Sequence, residues 1–153
     1  MSNHTYTTSK ATTFLADFKA VTKMGLSISV VFSSLAGYLL AADVVDFQTL
    51  VLLAIGGYFM VGASNVFNQI IERDLDALMD RTKNRPIPAG RMTVTYAFIL
   101  AIILTVAGLS ILYSINERTA MFGAISICLY TSAYTPLKTK TPLSVFVGAI
   151  PGA

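Results

Sequence analysis

Residues 47–71 read FQTLVLLAIGGYFMVGASNVFNQII, a run without Asp, Glu, Lys or Arg, and Glu72-Arg73-Asp74-Leu75-Asp76 follows it directly. An apolar helix of that length rises about 38 Å, enough to cross the roughly 30 Å hydrocarbon core of a bilayer. In a continued helix, Asn68, Glu72 and Asp76 are each rotated about 40° from the one before, so they share one face. Oxygen-bearing side chains are expensive at the mouth of a membrane span, which marks this face as functional.

Three further runs lack charge: Met24–Ala42, Met92–Asn116 and Thr119–Leu137. The chain has 153 residues, 54% of them hydrophobic and only 12% charged, against about 25% charged in soluble domains. Its mean hydropathy is +0.66. The class is therefore all-α, a polytopic transmembrane helix bundle. Four full spans are expected, at Lys23–Ala42, Phe47–Ile71, Thr93–Ile115 and Thr119–Tyr134. The helix of the second span is expected to run on without interruption to near Asp80. Turns fall at Asp43 to Asp46 and at Asn116-Glu117-Arg118, and Pro86, Pro88 and Gly90 build a loop after the second span. Leu143 to Ala153 is the start of a fifth span, too short to cross. Residues 1–22 are expected to form a tail with an interfacial helix near Phe14–Val21, and residues 23–153 one membrane domain.

The Ser/Thr-rich start has no secretory signal pattern, and it differs from a mitochondrial transit segment in lacking Arg and containing Asp17. Bases cluster in the tail (Lys10, Lys19, Lys23), after the second span (Arg73, Arg81, Lys83, Arg85, Arg91) and after the fourth (Lys138, Lys140). The alternate loops hold only Arg118, so the N-terminus and the acidic stretch are expected on the cytoplasmic side. The setting expected is the bacterial inner membrane rather than the mitochondrial one. No basic patch lies on a soluble face, so the net charge of +3 does not point to nucleic acid. Trp is absent, leaving Tyr58, Tyr96, Tyr113 and Tyr134 as candidate interfacial aromatics. Cys128 reads as a small buried hydrophobe, and the lone His4 lies in the tail, away from any span. Asn3-His4-Thr5 matches a glycosylation sequon, a chance match on a cytoplasmic tail. Gly25, Gly37, Gly56, Gly57, Gly62 and Gly108 suit close helix contact.

The chemistry lies between Glu72 and Arg91, where nine of the charged residues fall. A solvated loop of mixed charge is the plain alternative. Against it, the acidic face begins inside an apolar span, the bases follow as a separate block, and Pro86 and Pro88 stiffen the loop. Carboxylates beside bases suit a magnesium-bridged diphosphate. The metal would join acid to phosphate at Asn68, Glu72 and Asp76, while Arg81, Lys83, Arg85 and Lys138 would hold the remaining phosphate oxygens. Asp80 continues the four-residue series and is a further candidate metal ligand. Asp74 lies about 200° round the helix from Glu72 and belongs outside the site. An allylic diphosphate fits: its departure needs charge neutralised in the transition state and leaves a cation that must be kept dry. A cation-binding or transport module would use the same acids but gains nothing from adjacent bases.

These residues resemble the intramembrane prenyltransferase (UbiA) superfamily, whose first motif reads Asn-Asp-x-x-Asp-x-x-x-Asp. Here Gln69 and Glu72 replace two of its Asp residues. Asn68, Gln69, Glu72, Arg73, Asp74, Asp76, Met79, Arg81, Thr82, Arg85 and Pro86 are similar to the protoheme IX farnesyltransferase (haem O synthase) branch. So are Ala133-Tyr134-Thr135-Pro136-Leu137-Lys138 and Thr141-Pro142. The resemblance implies magnesium-dependent ionisation of farnesyl diphosphate and farnesyl transfer to a vinyl group of haem b, giving haem O, with haem A synthase as a downstream partner. It implies catalytic roles for Asn68, Glu72 and Asp76, and a bundle of nine helices with two facing aspartate-rich motifs. Only the first motif is present and the chain stops near the fifth helix, so the expectation is an incomplete fragment, inactive by itself. The alternatives are a relative prenylating an aromatic acid or quinone precursor, and a membrane fragment without catalysis.

Overall fold

Polar caps set where the apolar runs become helices. In the computed structural model, which describes the backbone of residues 5–134 and the side chains of residues 13–133, the elements are α1 (Thr5–Val21), α2 (Met24–Ala41), α3 (Phe47–Ile71), α4 (Arg73–Leu78), α5 (Val94–Ile115) and α6 (Glu117–Leu129). A π turn, Tyr130–Tyr134, follows. No strand occurs among the described residues. His4, the Tyr134 side chain, Thr135-Pro136, Lys138, Lys140, Thr141-Pro142 and the segment from Leu143 to Ala153 lie outside what is described.

Asp46 caps α3, accepting from the Thr49 N–H at 2.8 Å and the Gln48 N–H at 3.4 Å. Thr93 Oγ1 accepts from the Tyr96 N–H at 3.2 Å to start α5, and Asn116 Oδ1 accepts from the Thr119 N–H at 2.8 Å to start α6. Each satisfies an N–H that a helix start would leave bare. The Thr49 hydroxyl, then the Thr49 backbone N–H and, more weakly, that of Gln48, hold the Asp46 carboxyl below its ordinary range. A carboxyl depressed in the folded state stabilises the fold above its unfolded pKa and loses that contribution as pH falls through the folded value. Asp46→Asn keeps a capping oxygen without the charge. The margin of the native protein over this variant in detergent thermal unfolding should therefore be full at neutral pH, begin to shrink near about pH 4 and be lost as the pH falls further. A margin constant with pH would count against a charged cap.

α3 is the central element, packed most extensively on α5 and next on α2. Met60, Ala63, Leu104, Leu112, Ala120 and Ile127 join α3, α5 and α6 in one buried cluster. Val21, Val66, Ile87, Met92, Ala97 and Ala101 join the end of α1, α3, the following loop and α5 in another. The α3–α5 contact needs small residues. A Cβ on Gly56 would lie 2.9 Å from Leu112 Cδ2, and one on Gly108 3.0 Å from Met60. Gly57 would meet only Val31, at 3.7 Å, while Gly25 and Gly37 meet nothing within 4 Å. Close contact thus accounts for Gly56 and Gly108, whereas Gly57 and Gly62 have room for a Cβ at ordinary contact distance and Gly25 and Gly37 face open space. Gly56→Ala should destabilise by about 1–3 kcal/mol through overpacking, and Gly57→Ala by far less; equal shifts of the two in detergent unfolding would contradict this contact.

Several expectations change. The first helix starts at Thr5, well before Phe14. α3 does not run on unbroken: Glu72, at φ −88° and ψ 2°, separates it from α4. The turn before α6 is Asn116 alone. Among the described residues three helices, α2, α3 and α5, are long and apolar enough to cross a membrane. The fourth expected span, Thr119–Tyr134, is helical throughout, as 13-residue α6 continued to Tyr134 by the π turn. Cys128 is exposed on the outer surface of α6 rather than buried. Of the α2 residues only Ser27 is buried.

Candidate functional site

The break at Glu72 bends the helix without losing its register. The Glu72 N–H donates to Asn68 O at 2.9 Å and the Asp76 N–H to Glu72 O at 2.8 Å, so the ladder continues along the face carrying all three side chains. Asn68, Glu72 and Asp76 are buried. The next residues round the helix, Arg73 and Asp74, pair with each other at the surface, with Asp74 88% exposed.

The loop after α4 folds back onto this face. Thr82 is buried and its Oγ1 donates to Asp76 O at 2.9 Å. Arg85 Nη1 donates to Asp76 Oδ2 at 2.6 Å, with the Asp76 side chain 5% exposed and that of Arg85 26%. The two prolines shape the loop as the sequence suggests: Pro86 is fully buried and its carbonyl accepts from the Met92 N–H at 3.0 Å. Gly90 takes φ 73°, a left-handed conformation that only Gly adopts without strain. The basic block is thus no separate unit: its Arg85 meets an acid of the motif directly.

Not every candidate joins. Lys83 Nζ donates to Asp80 Oδ1 at 2.6 Å, but Asp80 is 97% exposed, away from the buried face. Arg81 is exposed. Lys138 lies outside the described residues.

An apolar cavity of about 240 Å³ opens one turn further into α3, where Ser64 precedes Asn68 on the same side. Met60, Val61 and Asn65 line it with Leu26 of α2, Ile127 of α6 and Tyr130 of the π turn.

Asn68, Glu72 and Asp76 offer one amide and two carboxylates on a buried face. Among the described residues no three His, Cys, Asp or Glu side chains converge, so there is no all-protein cage. Magnesium commonly takes one or two carboxylates and completes its shell with phosphate oxygens and water. The donor set fits a metal that arrives with a phosphorylated substrate.

A family model described as the UbiA prenyltransferase family matches residues 30–153. The chain belongs to this family. It is 74% identical over 139 residues to the protoheme IX farnesyltransferase of Christiangramia forsetii, covering 91% of this chain and 46% of that protein. To the protoheme IX farnesyltransferase of Flavobacterium psychrophilum it is 70% identical, covering 90% and 47%. A mitochondrial protoheme IX farnesyltransferase of Yarrowia lipolytica is 36% identical, over 92% of this chain and 30% of that protein. The chain spans about half the length of the curated bacterial relatives it matches. No solved structure matches it.

In this UbiA family member the polar residues of α3 divide between two faces, which the motif alone does not reveal. Gln69 is fully buried, and its Nε2 donates to Val21 O at 2.9 Å and Ala20 O at 3.3 Å. One turn earlier, Asn65 Nδ2 donates to Thr22 O at 3.1 Å and Ser27 Oγ at 3.3 Å. Both amides satisfy carbonyls at the turn between α1 and α2, where Lys23 takes the left-handed φ of 48°. Gln69 thus sits beside Asn68 in the motif but faces the N-terminal helix. Two amides four residues apart within an apolar span are the signal that could have exposed this pair. Asp17 and Arg91 were also missed as a unit; they pair at 2.8 Å.

Proposed function

We propose that this sequence forms part of an intramembrane prenyltransferase that moves a farnesyl group from farnesyl diphosphate to a vinyl group of haem b, giving haem O. The observation that carries the chemistry is the buried Asn68, Glu72 and Asp76 face with Arg85 drawn onto Asp76. On this reading Asn68, Glu72 and Asp76 are the metal ligands and Arg85 holds the diphosphate, while Lys83, paired with exposed Asp80, and exposed Arg81 lie off the buried face. Magnesium, when bound, neutralises charge that grows on the departing diphosphate. Arg85 would exchange a carboxylate oxygen for phosphate oxygens, a trade its planar fork accommodates. The burial of the acidic face keeps bulk water from competing for these contacts, and the apolar cavity beyond Ser64 suits an isoprenoid chain. The exposure of Asp80 and its pairing with Lys83 favour the three-residue ligand set over one that includes Asp80.

The acceptor rests on the names of the relatives together with Gln69 and Glu72, where aromatic-directed relatives are expected to carry Asp. The base-rich loops favour a site at the cytoplasmic face of a bacterial inner membrane, with haem A synthase as the consumer of the product. The test is expression of this sequence, in a chain of the relatives' full length, in cells lacking haem O synthase, followed by haem extraction and chromatography. Haem O is the expected product. Its absence, with a prenylated aromatic acid or quinone precursor formed instead, would overturn the haem assignment.

A further inference from the structure

Asp17 and Arg91 stand 74 positions apart, on α1 and on the loop before α5. Asp17 is the only acid before Asp43, and its side chain is only 12% exposed. A carboxylate so nearly buried needs a charged partner. Arg91 Nε donates to Asp17 Oδ1 at 2.8 Å, and its Nη2 donates to Asn84 O at 3.0 Å. Asn84 immediately precedes Arg85, whose guanidinium reaches Asp76. The path closes through Gln69, which binds the last carbonyls of α1 from the same helix that carries Asn68. α1 is thereby tied at one end to the acid-bearing helix and, along its length, to the backbone that presents Arg85.

We infer that Asp17 and Arg91 are positioning residues for Arg85, α1 serving as the brace that fixes where the diphosphate-binding guanidinium stands. This rests on the reading of Arg85 as a diphosphate ligand. The Arg91 fork spans two acceptors on separate elements, which a Lys ammonium on a flexible stem does not reproduce. Without the Asp17 carboxyl group, Arg91 keeps only one of its two contacts, and Asn84 loses its fixed link to α1. Misplacing a group that orients the reacting atoms by about an ångström can cost as much as a hundred-fold in rate. Neither residue need touch the ligand.

The experiment is a double-mutant cycle in a chain of the relatives' full length. The readout is binding of the non-ionising S-thiolo analogue of farnesyl diphosphate, with magnesium, by calorimetry in detergent. Arg91→Gln and Asp17→Ala should each weaken binding about ten-fold while Arg85 is present, and should weaken it no further in an Arg85→Ala background. Arg91→Lys should fall with Arg91→Gln, because the charge survives and the fork does not. Thermal unfolding on the same samples confirms that folded protein is being compared. Equal losses in both backgrounds, or no loss in either, would overturn the positioning role while leaving Arg85 in place. No effect of Arg85→Ala itself would instead overturn the site reading, and this inference with it.

Discussion

If the acidic face holds the metal, Asp76→Asn should abolish prenyl transfer, lowering kcat/KM by about a thousand-fold or more, because a charged ligand would be lost where leaving-group charge must be neutralised. The substitution keeps the side chain's size and one oxygen, so Thr82 can still donate to the Asp76 backbone carbonyl. Arg85 loses the charge of its partner, but the amide oxygen can still accept, and Arg85 is about a quarter exposed, so water can solvate it. The stability cost should stay near 1–3 kcal/mol, too little to explain the kinetic loss. Asp74→Asn is the matched comparison: two positions away, it removes the same charge from an 88% exposed side chain turned from the site. Rates measured in membranes, normalised to folded protein, should separate the two variants by orders of magnitude. Comparable activity in both would mean that the acidic face is not the metal site.

Arg85→Lys should weaken binding of the magnesium–farnesyl diphosphate complex on the order of ten-fold, or about 1.4 kcal/mol. The net charge is unchanged, so the loss would report geometry. A guanidinium can hold a carboxylate oxygen on one edge and phosphate oxygens on another, whereas an ammonium is a point charge. Lys also lacks a rigid plane to span the distance from its backbone, which Thr82 and Asn84 fix, to Asp76. If Arg85→Lys binds like the native protein and Arg85→Ala loses everything, charge alone matters at this position. Unchanged binding in both would remove Arg85 from the site.

Local periodicity carried much of this architecture. The four-residue spacing of Asn68, Glu72 and Asp76 placed them on one face, and that face is buried. Thr93 and Asn116, hydroxyl and amide at the edge of apolar runs, fall at the helix starts. What periodicity missed depends on residues far apart in the chain. Gln69 reads as part of the motif, yet it serves α1 through carbonyls 48 and 49 positions away. Nothing near Asp17 announces Arg91. The pairing of Asp80 with Lys83 was available from their three-residue separation, but the series of acids drew attention to the wrong neighbour. The break at Glu72 has no Gly or Pro to signal it; the loop pulling back onto Asp76 is its evident companion. The winding change after Leu129 likewise follows an ordinary sequence, Tyr130-Thr131-Ser132-Ala133-Tyr134.

The amides of Asn65 and Gln69 impose a condition on how the chain is made. Each would enter hydrocarbon with bare donors if α3 inserted alone, at a cost of several kcal/mol apiece. The carbonyls that accept from them belong to Ala20, Val21 and Thr22, which leave the ribosome some forty residues earlier. The acceptors are therefore already delivered when the donors emerge, and vectorial synthesis presents the partners in the order that the bilayer requires.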